Sequence, residues 1–418
     1  MASKKELIES ANKKATERII AARPFVVDVK PAIEAVAGMK ENLVCHAGPP
    51  LELDEMVPSF KMAIFGGIMW EGWAKTPEEA ERLIRDGKVI LEPNHHHNGI
   101  GTMYGITTPS MPVFVIEDKV HGNRATANIR EGTVKALRYG CWDENVKRKL
   151  GWNRDVLGPI IGFALRECGG VDMVPLMGKA LHMGDDGHNE NRAANLLFSM
   201  QLIPDILKSD YSKETIKDVV DWMNTDSRFV STAEMAVCKA ITLAAHNIEN
   251  CSVMTTMCRN GTYTGIRVSG LGDQWFKAPA PPVNLLFFPG YGPKDATNDC
   301  GDSCVTEVAG IGALAMAAAP AMVQFVGGKV ADAVNYTKEM YEITTMKNTN
   351  WTIPYMDFEG CPIGIDIIKV VKTGMTPHIN TSIGHILPNF GQVGAGMTRA
   401  PLKCFQDALE AFAKAVGV

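Results

Sequence analysis

The sequence predicts an α+β chain of several parts, with mixed α/β domains at both ends and a helical domain in the middle. Length is the first observation behind this, since 418 residues exceed what one hydrophobic core usually organises. Pattern is the second. Short apolar runs bounded by turn residues alternate with helical stretches over residues 1–150 and again over 251–418. Over 151–250, apolar residues recur at three and four and glycine thins out. The third is glycine itself: 39 of them fall in short clusters rather than in a repeat or a linker. Such clusters let backbone approach backbone or ligand closely.

Ser3 and Glu6 have capping-box spacing, and Leu7, Ala11, Ala15 and Ile19 share one face, so the chain opens with a helix that Pro24 ends. Leu43–Cys45, Met62–Phe65, Val89–Leu91 and Val113–Ile116 have strand length and turn residues on both sides. Between the second and third of these lies a helix. Thr76 is its N-cap, Pro77 its first residue, Glu78 and Glu79 suit the dipole, and Gly87 stops it. In the middle domain, helices are expected over 195–207 and 215–223, with a third opening where Ser231 and Glu234 repeat the capping-box spacing. Further on, Tyr263–Val268 and Leu285–Phe288 read as strands, Val305–Ala319 as a buried helix and Lys403–Val416 as an amphipathic one.

Composition narrows the function. A net charge of -5 with no basic stripe argues against nucleic acid. The charged N-terminal residues lack the apolar stretch of a secretory signal. The weakly polar run from Val308 to Val326 is rich in Gly and Ala and suits a buried helix better than a membrane span. Ten cysteines without a CxxC pair read as reduced thiols, which places the protein in the cytoplasm.

Five segments carry groups suited to chemistry. Pro93 to Gly99 holds His95, His96 and His97 just after a strand, where α/β proteins place sites; loop packing is the plain alternative. His182, Asp185, Asp186 and His188 are dense enough for metal ligation but match no standard spacing, and either aspartate suits a helix cap equally. Arg259-Asn260-Gly261 and Arg267 suit a carboxylate or phosphate, or else brace a hairpin. Asp302 and Ser303 precede Gly310-Ile-Gly312, where a helix cap and an anion site compete. Finally, Asn380, Thr381 and His385 precede Gly391 to Gly396, a pattern that suits an oxyanion nest or a glycine turn. A Walker loop, a G-x-S-x-G elbow and an EF-hand are all missing.

Taken in order, His46-Ala-Gly-Pro-Pro50, Glu71-Gly-Trp-Ala-Lys75, His95-His96, Gly122-Asn-Arg124 and Met183-Gly-Asp185 with His188 resemble the YlbE/YahG family, also called AllG. The likeness continues through Thr256–Leu271, Gly301-Asp302, Gly310-Ile-Gly312, Ile379-Asn-Thr381 with His385, and Gly391–Gly396. The resemblance implies a subunit of oxamate carbamoyltransferase in anaerobic allantoin breakdown. It implies phosphorolysis of oxalurate to oxamate and carbamoyl phosphate, FdrA-like and YlbF-like partner subunits, and a multidomain α+β fold with a small helical domain.

A small anionic ureide and phosphate would then be the ligands. For them the residues suggest Arg259 and Arg267 as clamps, with Arg124, Asn260, Asp302 and Asn380 as further contacts. Thr381 and the Gly394 to Gly396 backbone would donate to the oxyanion, and His96 or His188 would supply the proton, with His385 a further catalytic candidate. Two rivals stand beside this reading. One is a metal-dependent amidohydrolase using His95 to His97 and His182 to His188, with His95, His182, Asp185 and His188 as candidates for a divalent metal; the other is a structural or ligand-sensing subunit without chemistry of its own. A homo-oligomer is expected.

Overall fold

A computed structural model describes residues 3–132, 134–226, 228–326 and 328–417. Helix α1 (Lys4–Ala21) opens on the expected capping box, with Ser3 and Glu6 bonded in both directions, and buries Ala11, Ala15 and Ile19. Leu7 stays 46% exposed, so the inward face starts one turn later than its spacing suggests. Pro24 does more than end the helix. It begins strand β1 (Pro24–Pro31), a run bounded by prolines that the sequence reading leaves out.

The chain continues through α2 (Ala32–Ala35), β2 (Leu43–His46), α3 (Pro58–Trp70), α4 (Pro77–Arg85), β3 (Ile90–Pro93), β4 (Gly99–Ile100), β5 (Pro112–Asp118) and β6 (Arg124–Asn128). β2 and β3 pair in parallel, with α3 and α4 between them in the chain. Met62–Phe65, expected as a strand, lies inside α3. That helix is buried on most sides, so its apolar run shows no helical period. α4 forms where expected, with Thr76 accepting from the Glu79 amide.

The middle is helical: α5 (Glu144–Trp152), α6 (Gly158–Glu167), the short strand β7 (Val171–Asp172), α7 (Met173–His182), α8 (Arg192–Ile206), α9 (Lys213–Thr225) and α10 (Ser231–Leu243). α10 does not begin with the expected capping box. Its cap position is Val230, and the Glu234 side chain turns inward to accept from Asn191.

Next come β8 (Met254–Asn260), β9 (Tyr263–Val268), β10 (Phe276–Pro279), β11 (Asn284–Phe287), β12 (Cys300–Gly301) and α11 (Val305–Val308). α12 (Val330–Tyr341), β13 (Thr344–Ile353), β14 (Glu359–Ile365), α13 (Ile367–Thr373), β15 (His378–Gly384), β16 (Gln392–Arg399) and α14 (Leu402–Val416) complete the chain. The buried helix expected over 305–319 is broken after Val308. Gly310 and Gly312 adopt φ of +90° and +63°, and a tighter helical turn resumes over Gly312–Ala318.

The sheets are β4-β6-β5-β1-β7, β10-β9-β8-β12 and β11-β16-β15, with pairs β13-β14 and β2-β3. α10 is buried from Ser231 to Thr242; it packs on β5 and β6 of the first sheet and against β8 and α11. The largest core draws on all three expected segments, from Ala11 through Phe229 to Ile363. No described helix is long and apolar enough to cross a membrane.

The glycines of β16 serve packing. A Cβ on Gly396 would stand 1.8 Å from the Asn284 carbonyl oxygen, so β11 lies close only because the side chain is missing. Gly396→Ala is expected to cost about 1–3 kcal/mol through overpacking. A urea unfolding midpoint equal to wild type would show that β11 does not pack as described.

Candidate functional site

Where α10 begins, three arginines meet a histidine. Arg130 follows β6, Arg138 sits in the turn Leu137–Tyr139, and Arg228 precedes the helix. Together with Thr102, His188 and Ser382 they line one crevice. Arg130 donates to Ser231 Oγ at 3.1 Å and to the Arg228 carbonyl at 3.4 Å, while its buried Nε lies 4.0 Å from Asp226 Oδ2 and makes no hydrogen bond. Burial, then Arg138, pushes the Arg130 guanidinium down to about 10, which leaves it charged at neutral pH. Arg138 is held by Glu131 at 2.9 Å. The Thr232 hydroxyl on the first turn of α10 is likewise buried without a partner. Positive charge therefore gathers in a crevice that Ser231, on the first turn of α10, also lines.

His188 is built into the opposite wall. Asp186 gathers the backbone N–H groups of His188, Asn189 and Glu190 at 2.9 Å each, which fixes the loop between α7 and α8. Its other oxygen accepts from Asn380 Nδ2 at 2.5 Å and so ties the loop to β15. His188 Nδ1 lies 2.8 Å from Glu307 Oε1 on α11. Burial alone would raise the Glu307 carboxyl, but His188, the Ala313 amide and Arg259 together hold it below its ordinary value. A carboxylate on Nδ1 orients the ring and leaves Nε2 for a guest in the crevice.

Arg259 stands behind this wall rather than in it. Completely buried, it forks onto Asp299 at 2.8 and 2.9 Å. Its remaining donors reach the Gly301 carbonyl at 2.7 Å, Ser303 Oγ at 3.2 Å and Thr381 Oγ1 at 3.0 Å. With no donor left for a substrate, Arg259 braces the loops that present Ser303 and Ser382.

The structure brings together the segments around His188, Ser303 and Asn380–Ser382, but several expected contacts lie elsewhere. Arg124 is exposed and paired with Glu117. Asn260 closes the β8–β9 turn by accepting from the Thr262 and Tyr263 amides. Gly394 and Gly396 sit on the middle strand of a three-stranded sheet, paired on both sides, so their amides are spent in the ladder. His385 accepts from the Leu387 amide and stacks on Phe390. Asp302 is not a helix cap; it accepts from the Gly48 and Gly101 amides and from Asn94. His96 accepts from Trp275 Nε1 and, by burial and then Arg267, is pushed down to about 4, so it is neutral near pH 7 and carries no charge to donate as imidazolium. His95, His96 and Arg267 line a separate cavity.

The proposed metal ligands do not converge. His182 bonds Thr352, and Asp185 caps α8 through the Ala193 and Ala194 amides. Among the described residues, His95, Cys258 and Asp302 bring ligand-type atoms within 4.8 Å of one another. Asp302 already holds three donors there, and Lys239 and Arg267 add positive charge beside His95, which disfavours a cation.

Arg130, Arg138, Arg228 and Glu307 escape sequence reasoning. One signal was available: Arg130-Glu131-Gly132 stands just past the end of a strand, the position where α/β proteins place their sites.

Fold and crevice define a mixed α+β protein in which a carboxylate-oriented histidine shares a crevice with three arginines. The profile of the family described as oxamate carbamoyltransferase subunit AllG matches residues 89–303. The oxamate carbamoyltransferase subunit AllG of Escherichia coli (strain K12) is 42% identical over 414 residues, 98% of this chain and 99% of that protein. The uncharacterised protein YahG of the same strain is 41% identical over 98% of this chain and 87% of its own length. A crystal structure of a conserved protein of unknown function from Enterococcus faecalis V583 matches with a TM-score of 0.98 at 43% identity, covering both chains completely. The chain belongs to the AllG family.

β15, which carries Asn380 and Thr381, is anchored at its start by His378. Its Nε2 accepts from Arg399 at 2.9 Å, and burial followed by Arg399 pushes the imidazole down to about 4. A histidine depressed in this way contributes stability above its unfolded value, near 6.5, and loses it as pH falls toward 4. The difference in unfolding free energy between wild type and His378→Gln should therefore shrink from pH 6.5 to 4 in urea titrations. A difference that does not change with pH would show the imidazole is not held neutral.

Proposed function

We propose that this chain is a subunit of a carbamoyltransferase that cleaves a small ureido anion with phosphate, the ureide being oxalurate and the products oxamate and carbamoyl phosphate. The reading rests on one observation: His188, held by Glu307, lines a single crevice with Arg130, Arg138 and Arg228. The name of the Escherichia coli relative, a subunit of an oxamate carbamoyltransferase, points to the same chemistry.

Both substrates are anions, and bringing them together requires positive charge to offset their repulsion. The arginines supply it, and planar guanidinium groups match carboxylate and phosphate oxygens in pairs. A phosphate oxygen attacks the carbamoyl carbonyl, and the bond from that carbon to the oxamate nitrogen breaks. The departing nitrogen takes up the proton that the phosphate hydroxyl gives up. His188 Nε2 is placed to relay it, with Glu307 stabilising the imidazolium formed on the way. The Thr102 and Ser303 hydroxyls, which line the crevice beside the arginines, are placed to donate to the developing oxyanion. FdrA-like and YlbF-like subunits complete the assembly in this proposal.

The test is a complex reconstituted with those partners and assayed for phosphate-dependent release of carbamoyl phosphate. Arg130→Met should raise KM for an anionic substrate at least about ten-fold, the worth of one charge-assisted contact. His188→Gln should lower kcat by about 10²–10⁴-fold, the usual share of positioned proton transfer. If both variants assemble and keep wild-type constants, the crevice is not the reaction site, and chemistry belongs to another subunit.

A further inference from the structure

About two helical turns along α10 from the crevice, a second cavity of about 200 Å³ opens beside β8 and β9. Lys239, His246, Thr255, Arg267, His95 and His96 line it. Lys239 is 1% exposed, Thr255 2% and Arg267 4%, so these groups see the cavity and little bulk water. Three polar atoms here are buried with no hydrogen-bond partner, His95 Nδ1, Thr255 Oγ1 and Arg267 Nε, while His95 Nε2 lies 3.3 Å from the Asp302 carboxylate. The Lys239 ammonium takes part in no ion pair among the described residues, and burial followed by Arg267 pushes it down to about 7.

The wall itself is rigid. Arg267 is held by Asp273 at 2.9 Å and lies over the Trp275 ring at 4.3 Å, while Trp275 bonds His96. Asp273 stands at the rim with its side chain 77% exposed, and His246 lies 3.3 Å from it. Native interiors rarely leave buried polar groups unpaired, and each such group costs free energy unless a guest satisfies it. Lys239 with no ion-pair partner among the described residues, the free Nε of Arg267 and the Thr255 hydroxyl point to a guest rich in acceptors and negative in charge.

We propose that this cavity is a second ligand site, for a small oxyanion such as a carboxylate or phosphate, held between Lys239 and Arg267 with Thr255 donating to it. The proposal goes beyond the crevice chemistry and does not depend on it. Neither site shares a lining residue with the other, so variants separate them.

Calorimetric titration of the full chain with inorganic phosphate and, separately, oxalate tests it at constant ionic strength. Wild type should bind at least one of the two probes at this site, and the preferred probe tells phosphate from carboxylate chemistry. Lys239→Met should weaken that binding at least about ten-fold, and Arg130→Met should leave it in place. Thr255→Val should also weaken it, without lowering the thermal midpoint, because the hydroxyl it removes has no partner in the free protein. Thr255→Val decides the matter if Lys239→Met fails to fold. A selenate soak should give an anomalous peak within hydrogen-bond reach of Lys239 Nζ. Binding of both probes unchanged in the two cavity variants would overturn the proposal. So would stoichiometric zinc that disappears with His95→Gln, since the cavity would then be a cation site.

Discussion

A helix enclosed along its whole length cannot turn a polar side chain to water, and α10 carries Thr232, Glu234 and Lys239 at such positions. Each has a different consequence. Burial, then Asp185, pushes the Glu234 carboxyl well above its ordinary value, and it serves as an acceptor. An ionised carboxylate there would cost several kcal/mol. Its partner is Asn191, the last residue before α8, at 2.8 Å. That bond pins the far end of the His188 loop to the central helix. Ser231 and Met235 line the crevice and Lys239 the second cavity, so the helix lines both.

A second layer of buried charge holds the crevice in shape. Arg259 and Asp299 form an ion pair with no solvent contact, and such pairs add little net stability once desolvation is counted. Their worth lies in geometry. The planar fork fixes Gly301, Ser303 and Thr381 against one another, and Asp186 does the same for the His188 loop and β15. Donors held in place before a guest arrives need no reorganisation when charge develops.

Much of the architecture was legible locally. The Ser3 and Thr76 caps, the strands at 43–46 and 263–268 and the C-terminal helix all follow from signals within a few residues. So does part of the site, since the segments holding His188, Ser303 and Asn380 carry polar groups beside glycine and do meet. Met62–Phe65 and the 305–319 run were misread because complete burial removes the contrast between faces on which periodicity depends. Lys239 was overlooked although a lone lysine inside Ala236-Val-Cys-Lys-Ala-Ile241 is unusual, because a single charge on a helix ordinarily marks a wet face.

The residues by themselves determined which elements form, which loops carry chemistry-bearing groups, and, through ordered matches along the whole chain, the family. Tertiary structure decided which of those groups are free. Arg259, Arg267 and Arg130 present the same guanidinium, yet the first is consumed by Asp299, forty residues away in the chain, and the other two each keep a buried nitrogen unclaimed. Whether a charged group meets a partner or a cavity depends on contacts between distant segments, and no short-range pattern encodes them.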